Sequence, residues 1–459
     1  MRSSILLPFL LGLASGGDSQ SLERILQQAD AGRWEARWEA VEALARIAEA
    51  HFPTARRLLL EDPRPRVREA IAFACLLDPR LGDATLLGLA LRRDGSPAVR
   101  RAAARALGRH RDRRAVSALV EALGRETDPR TRLWIAATLR SLAPAPCLLD
   151  AQAWRTWWSE NEQDPKFRPA DSGAVEKDYH GVPLETRTVA APPLRPGARP
   201  FPHVLALPQF GWSTASFGPY LLPLSERSGV TWVRLPSLQR LTGRSGFGAD
   251  VPIYPVDRLV RALEAFRAES GFQRFVLLAH GASGWIAMRY AQLHPQRCAA
   301  LLLIDTALDR DAYAAALRRG ADRGTPGERY VARTLLHENR EPFDAGTFDR
   351  LQAVSLEGAF RDAADLEIGD LFARARDPQG FATVPPLRFE GRMRIEAPAL
   401  FLYSAGSPFS GHGDAERIGR HFPASLVAPI LEATGLPFLE ENHEFFRIVE
   451  GFFRRFPPE

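Results

Sequence analysis

Cysteine, methionine and lysine are scarce in this chain of 459 residues. The cysteines are Cys75, Cys147 and Cys298, an odd number whose spacings match no metal-ligand pattern. Neither a structural disulfide nor a metal site is therefore expected, and no cofactor is implied. Cys75 falls in a helical run and Cys298 just before a strand, so both are expected as small core hydrophobes. The only lysines are Lys166 and Lys177, and arginine carries nearly all the positive charge. Lys and Arg total 60 against 55 acids, a net charge of +5 with the arginines scattered through expected helices. A nucleic-acid binder would gather its charge on one surface among aromatics, so that class is excluded. Apolar runs long enough to span a bilayer, about 18 residues or more, are missing too. Charged residues at 25% and hydrophobic ones at 45% exclude a disordered chain. The length suggests roughly two to four domains.

The first residues carry an address pattern. Arg2 precedes the apolar run Ile5 to Leu13, and the small residues Ala14-Ser15-Gly16-Gly17 follow before polar sequence. Those are the three regions of a secretory signal peptide, expected over residues 1–17. It implies an exported protein, periplasmic or extracellular. No cysteine follows the run, so a lipid anchor is not indicated. The alternative reading is a buried first helix.

A repeat comes next. Pro65-Arg66-Val67-Arg68-Glu69-Ala70 recurs as Pro97-Ala98-Val99-Arg100-Arg101-Ala102 and as Pro129-Arg130-Thr131-Arg132-Leu133-Trp134. Arg68, Arg100 and Arg132 are spaced by 32 (100−68 and 132−100), and Arg37 precedes Arg68 by 31. Each copy opens an Ala/Leu-rich helix with proline in the first turn, where its missing N–H costs nothing. A second helix follows each. The stretch resembles HEAT repeats, and the resemblance implies an all-α solenoid over residues 18–161. Solenoids stack because one helix pair cannot bury its own apolar face. The resemblance also implies a protein partner on the solenoid; the alternative is that it only buttresses the second domain. Trp154, Trp157 and Trp158 lie on one helical face and are expected to cap the array. Residues 162–200, polar and proline-rich, are expected as linker.

From residue 201 the pattern changes to short apolar runs alternating with helical stretches, which argues for a mostly parallel sheet. Expected strands are 204–207, 231–235, 275–279, 300–304, 399–403 and 426–430, with helices at 256–268 and 283–293 among them. Phe275-Val276-Leu277-Leu278-Ala279-His280-Gly281-Ala282-Ser283-Gly284 resembles the nucleophile elbow of the α/β-hydrolase superfamily, and Leu301 to Asp305 and Ala433 to Glu441 resemble other segments of that superfamily. The resemblance covers residues 201–459, with a helical lid insertion at about 309–390. It implies an α/β-hydrolase fold with a Ser, an acid and a His in fixed places.

Those places hold other residues. The elbow pattern G-x-S-x-G puts the nucleophile at Gly281. The acid position is Ser407, before Pro408, and the base position is Gly435. The usual His-Gly after the third strand reads Pro208-Gln209, and the loop expected to hold Gly-His-Gly reads Ser237-Leu238-Gln239. Three concerted losses point to a pseudohydrolase that binds or scaffolds, with room for a small apolar ligand in its pocket. The alternative is a serine ester or amide hydrolase with a relocated nucleophile, Ser283, served by His443 and Asp305. His280 is expected to be structural, and His412 to lie in a glycine-flanked loop without a partner.

Overall fold

The computed structural model describes residues 19–143, 149–163, 175–189, 201–209, 217–226, 228–235, 256–308, 312, 366–368, 394–407 and 415–458. The expected signal peptide, Cys147, the loop at 237–239, His412 and nearly all of the expected lid lie outside these residues. The chain divides into two compact units, one of residues 1–172 with 362–370, the other of 173–361 with 371–459.

The first unit is a helical array: α1 (Ser19–Ala29), α2 (Trp34–Leu44), α3 (Phe52–Glu61), α4 (Pro65–Leu77), α5 (Ala84–Arg93), α6 (Pro97–Leu107), α7 (Arg113–Leu123), α8 (Pro129–Leu142) and α9 (Ala151–Asn161). Helices α2, α4, α6 and α8 stack in one layer; α5, α7 and α9 stack in a second. Alanine makes this close stacking feasible, for Ala70, Ala72, Ala102, Ala103, Ala106 and Ala136 are all fully buried. Prolines 65, 97 and 129 open α4, α6 and α8, as the repeat requires. The side chains of Asp83, Asp112, Asp128 and Asp150 cap α5, α7, α8 and α9, each accepting backbone N–H groups the helix start leaves open. Trp154 and Trp158 are buried at the end of the core, and Trp157 packs against both.

The repeating arginines tie one copy to the next. Arg68 holds the Asp94 carboxylate through Nε at 2.7 Å and Nη2 at 2.9 Å, and gives Nη1 to the Asp62 carbonyl. Arg100 repeats this on Glu126, at 2.8 and 2.7 Å, and on the Asp94 carbonyl. Arg132 reaches the Glu126 and Leu123 carbonyls. Positions 62, 94 and 126 therefore form an acid ladder with the same spacing as the arginines. The first copy departs: Arg37 pairs with Glu69.

The second unit is an eight-stranded sheet: β1 (Val175–Asp178), β2 (Pro183–Val189), β3 (His203–Leu207), β4 (Val230–Arg234), β5 (Phe275–His280), β6 (Cys298–Ile304), β7 (Ala399–Ser404) and β8 (Ser425–Ile430). The order is β1-β2-β4-β3-β5-β6-β7-β8. Strands β1 and β2 are antiparallel and the rest run parallel. Every residue of β5, β6 and β7 is buried, which is why these read as continuous apolar runs. Helices α10 (Val256–Glu269), α11 (Ser283–Leu293), α12 (Ala415–His421), α13 (Pro437–Glu440) and α14 (Asn442–Arg455) also belong to this unit.

The linker expected at 162–200 is corrected here, because it supplies β1 and β2. β1 forms one edge of the sheet, and β2 lies between it and β4. Val-Glu-Lys-Asp in β1 is exposed throughout, so its sequence carries no strand signal.

Candidate functional site

The site forms where β5 turns into α11. Gly281 occupies the turn with φ +55, a left-handed conformation that costs glycine least. Its N–H donates to the Ile304 carbonyl at 2.9 Å, and its own carbonyl accepts Thr306 Oγ1 at 3.0 Å. The turn is thus pinned from both sides by the end of β6. The start of α11 packs tightly at Gly284: a Cβ there would lie 2.2 Å from Thr306 Cγ2 and Oγ1, just past β6.

Gln209, just past β3, closes this turn. It is fully buried, and its Oε1 accepts the Ala282 N–H at 2.7 Å. In an elbow of this kind the N–H after the turn residue is the first oxyanion donor. A Cβ on Gly281 would stand 1.9 Å from Gln209 Oε1. The amide oxygen therefore occupies the space that a side chain at 281 needs, and it satisfies the donor that a substrate oxyanion would use. Gln209 Nε2 is buried with no partner among the described residues. The sequence marked Gln209 only as a departure from His-Gly after the third strand; its reach to the elbow depends on the parallel pairing of β3 with β5.

The remaining predicted positions are held by local bonds. Ser407 is buried, and its N–H donates to the Ser404 carbonyl at 3.0 Å. Gly435 has φ +152, and its carbonyl lies 2.9 Å from His280 Nε2. The Glu440 carboxylate accepts the N–H groups of Thr434, Gly435 and Leu436, which fixes the turn around 435. His280 is fully buried beside the Phe438 ring, and burial pushes its imidazole down to about 4. A neutral ring with Nε2 on a carbonyl is a structural bridge between β5 and the segment before α13.

The relocated trio is not brought together. Ser283 Oγ is buried and donates to the Pro208 carbonyl. Asp305, buried with φ +47, accepts Ser404 N at 2.8 Å and Ser404 Oγ at 2.7 Å. His443 is exposed at the start of α14. The two described cysteines are no better placed for chemistry. Cys75 and Cys298 are buried, and burial pushes both thiols up to about 12.

Comparison with known proteins agrees with the architecture. The model of the HEAT repeats matches residues 84–151, and that of the alpha/beta hydrolase fold matches residues 207–441. No curated protein matches the chain. Similar solved structures include VinJ, at 16% identity and TM-score 0.46 over 62% of this chain and 99% of that one. An epoxide hydrolase from Bacillus megaterium in complex with an inhibitor gives 14% identity and TM-score 0.39, over 61% of this chain and all of that one. An esterase from Thermogutta terrifontis gives 16% identity and TM-score 0.35, over 61% and 97%. The family-model match to more than half of the chain, together with the strand order and the turn at Gly281, settles the family: this chain belongs to the alpha/beta hydrolase fold family and carries HEAT repeats ahead of that fold.

Proposed function

We propose that the protein is an exported pseudohydrolase, in which the family's catalytic triad is lost and the chain acts by binding or scaffolding. The observation that carries this reading is the elbow itself. Gly281 stands at the nucleophile's place without a side chain, and Gln209 Oε1 rests on the Ala282 N–H. Ser407 and Gly435 stand where the acid and base are expected, and neither side chain can exchange a proton at neutral pH. Removing a nucleophile or its histidine alone lowers turnover about 10⁶-fold in a serine hydrolase. Export rests on the sequence of residues 1–17. The helical unit is the element to which a protein partner is assigned, and an apolar ligand is assigned to the hydrolase-like unit.

The competing reading, an ester or amide hydrolase using Ser283, asks for a serine free to attack and a histidine beside it. The bond from Ser283 Oγ to the Pro208 carbonyl and the exposure of His443 weigh against it. Hydrolysis of short- and long-chain p-nitrophenyl esters tests the proposal. The wild-type rate is expected to equal that of Ser283→Ala and of buffer. A saturable wild-type rate that Ser283→Ala abolishes would establish an enzyme.

A further inference from the structure

Residues 362–370 lie in sequence between β6 and β7, yet they belong to the helical unit. Leu366, fully buried, is part of that unit's core cluster, and Ile368 is buried beside it. Between them the Glu367 side chain keeps only 4% of its surface exposed. Its carboxylate meets Arg101 Nε at 3.1 Å and Arg130 Nη2 at 2.9 Å, and it accepts the indole N–H of Trp134. Arg105 completes the face, with its guanidinium 4.1 Å from the Trp134 ring centre and 4.8 Å from that of Phe73. Arg101 and Arg105 are one turn apart on α6; Arg130 and Trp134 are one turn apart on α8. Two neighbouring helices of one layer thus converge on a single carboxylate with aliphatic side chains on either side.

This is more than the repeat needs. The ladder arginines Arg68 and Arg100 work between copies, whereas Arg101 and Arg130 reach a residue more than 200 positions away in the chain. A carboxylate removed from water is costly unless paired and hydrogen-bonded. Here it finds both, from two guanidinium groups and an indole.

We propose that the face of α6 and α8 bearing Arg101, Arg130 and Trp134 is a recognition site for an aliphatic–acidic–aliphatic segment, and that Leu366-Glu367-Ile368 of the same chain is its resident ligand. The helical unit then holds residues 366–368, and this site is already filled in cis. The inference does not depend on the state of the triad.

A fluorescent peptide of residues 362–370 tests it against the full chain and against a full chain carrying Leu366→Ala, Glu367→Ala and Ile368→Ala together. The peptide is expected to bind the triple variant at least about tenfold more tightly than wild type, whose own segment competes at high effective concentration. A peptide with Glu367→Gln is expected to lose about tenfold or more, as is the triple variant with Arg130→Ala added. Equal binding to both chains, or to neither, overturns the proposal. Should the triple variant fail to fold, the isosteric full-chain Glu367→Gln decides. Amide hydrogen exchange at 366–368 is then expected to rise about tenfold or more with β5 amides unchanged. Unchanged exchange at 366–368 overturns it.

Discussion

The two units place their structural charge differently. In the helical unit the ionisable residues are structural: Arg68, Arg100 and the acids at 94 and 126 hold successive copies together, and the sequence period is the period of these bonds. In the hydrolase-like unit other residues shape the elbow, and under the proposed function its reactive positions, 281, 407 and 435, hold glycine and serine. Thr306 braces the turn, His280 bridges to Gly435, and Asp305 clamps Ser404. Under that proposal, the fold's bracing and its chemistry rest on separate residues. The bracing is held by packing whether or not chemistry remains.

The sharpest way to break this comparison is to remove a rung of the ladder. Arg100→Ala leaves Glu126 buried without its guanidinium, and a loss of about 3–5 kcal/mol is expected in urea unfolding followed by circular dichroism. Arg80→Ala, on an exposed pair, is expected to leave the transition unmoved. Equal effects from both would mean that the ladder is ornament.

Refilling the elbow comes next. Gly281→Ala forces a Cβ into the space of Gln209 Oε1 and a side chain into a left-handed turn. A cost of about 2–3 kcal/mol is expected from the strain and the displaced amide bond. In a Gln209→Ala background the same substitution is expected to cost about 1 kcal/mol less, read as the coupling in a double-mutant cycle. Strict additivity would show that Gln209 does not occupy the turn.

Acid separates the units further. Burial holds His280, and likewise His203, near 4 in the folded chain, below the ordinary 6.5. The unfolded chain therefore takes up protons first. Above about pH 6.5 these rings add no pH dependence; as pH falls from there towards 4, each removes about 1.4 kcal/mol of stability per pH unit. Thermal unfolding between pH 7 and 4 checks this, and His280→Gln is expected to flatten its share of the slope. A smaller effect is expected of Ser283→Ala, about 1 kcal/mol for the lost bond to the Pro208 carbonyl.

Much of this was legible in the sequence. Fully buried strands such as β5 and β6 declare themselves as apolar runs, and α11 begins at Ser283 and ends at Leu293 as its pattern requires. The arginine spacing revealed the solenoid because one residue type recurs in one role. Its acid partners were less visible, since Asp94 and Glu126 differ in type and stand outside the helices. The edge strand β1 and its neighbour β2 were lost in polar sequence. Gln209 could be seen to differ from its family but not to reach Ala282, because that contact joins residues 73 positions apart. Glu367 was silent for the same reason: nothing near it in the chain announces Arg101, Arg130 or Trp134.

The central claim is that the elbow carries no nucleophile and is closed by Gln209. Labelling of the purified protein with a fluorophosphonate probe, followed by mass analysis of the peptide spanning Phe275 to Leu293, tests it most directly. The account predicts an unmodified peptide in wild type and in Ser283→Ala alike. A phosphonylated Ser283 in wild type, absent from Ser283→Ala, would contradict it and make the protein a hydrolase with a displaced serine.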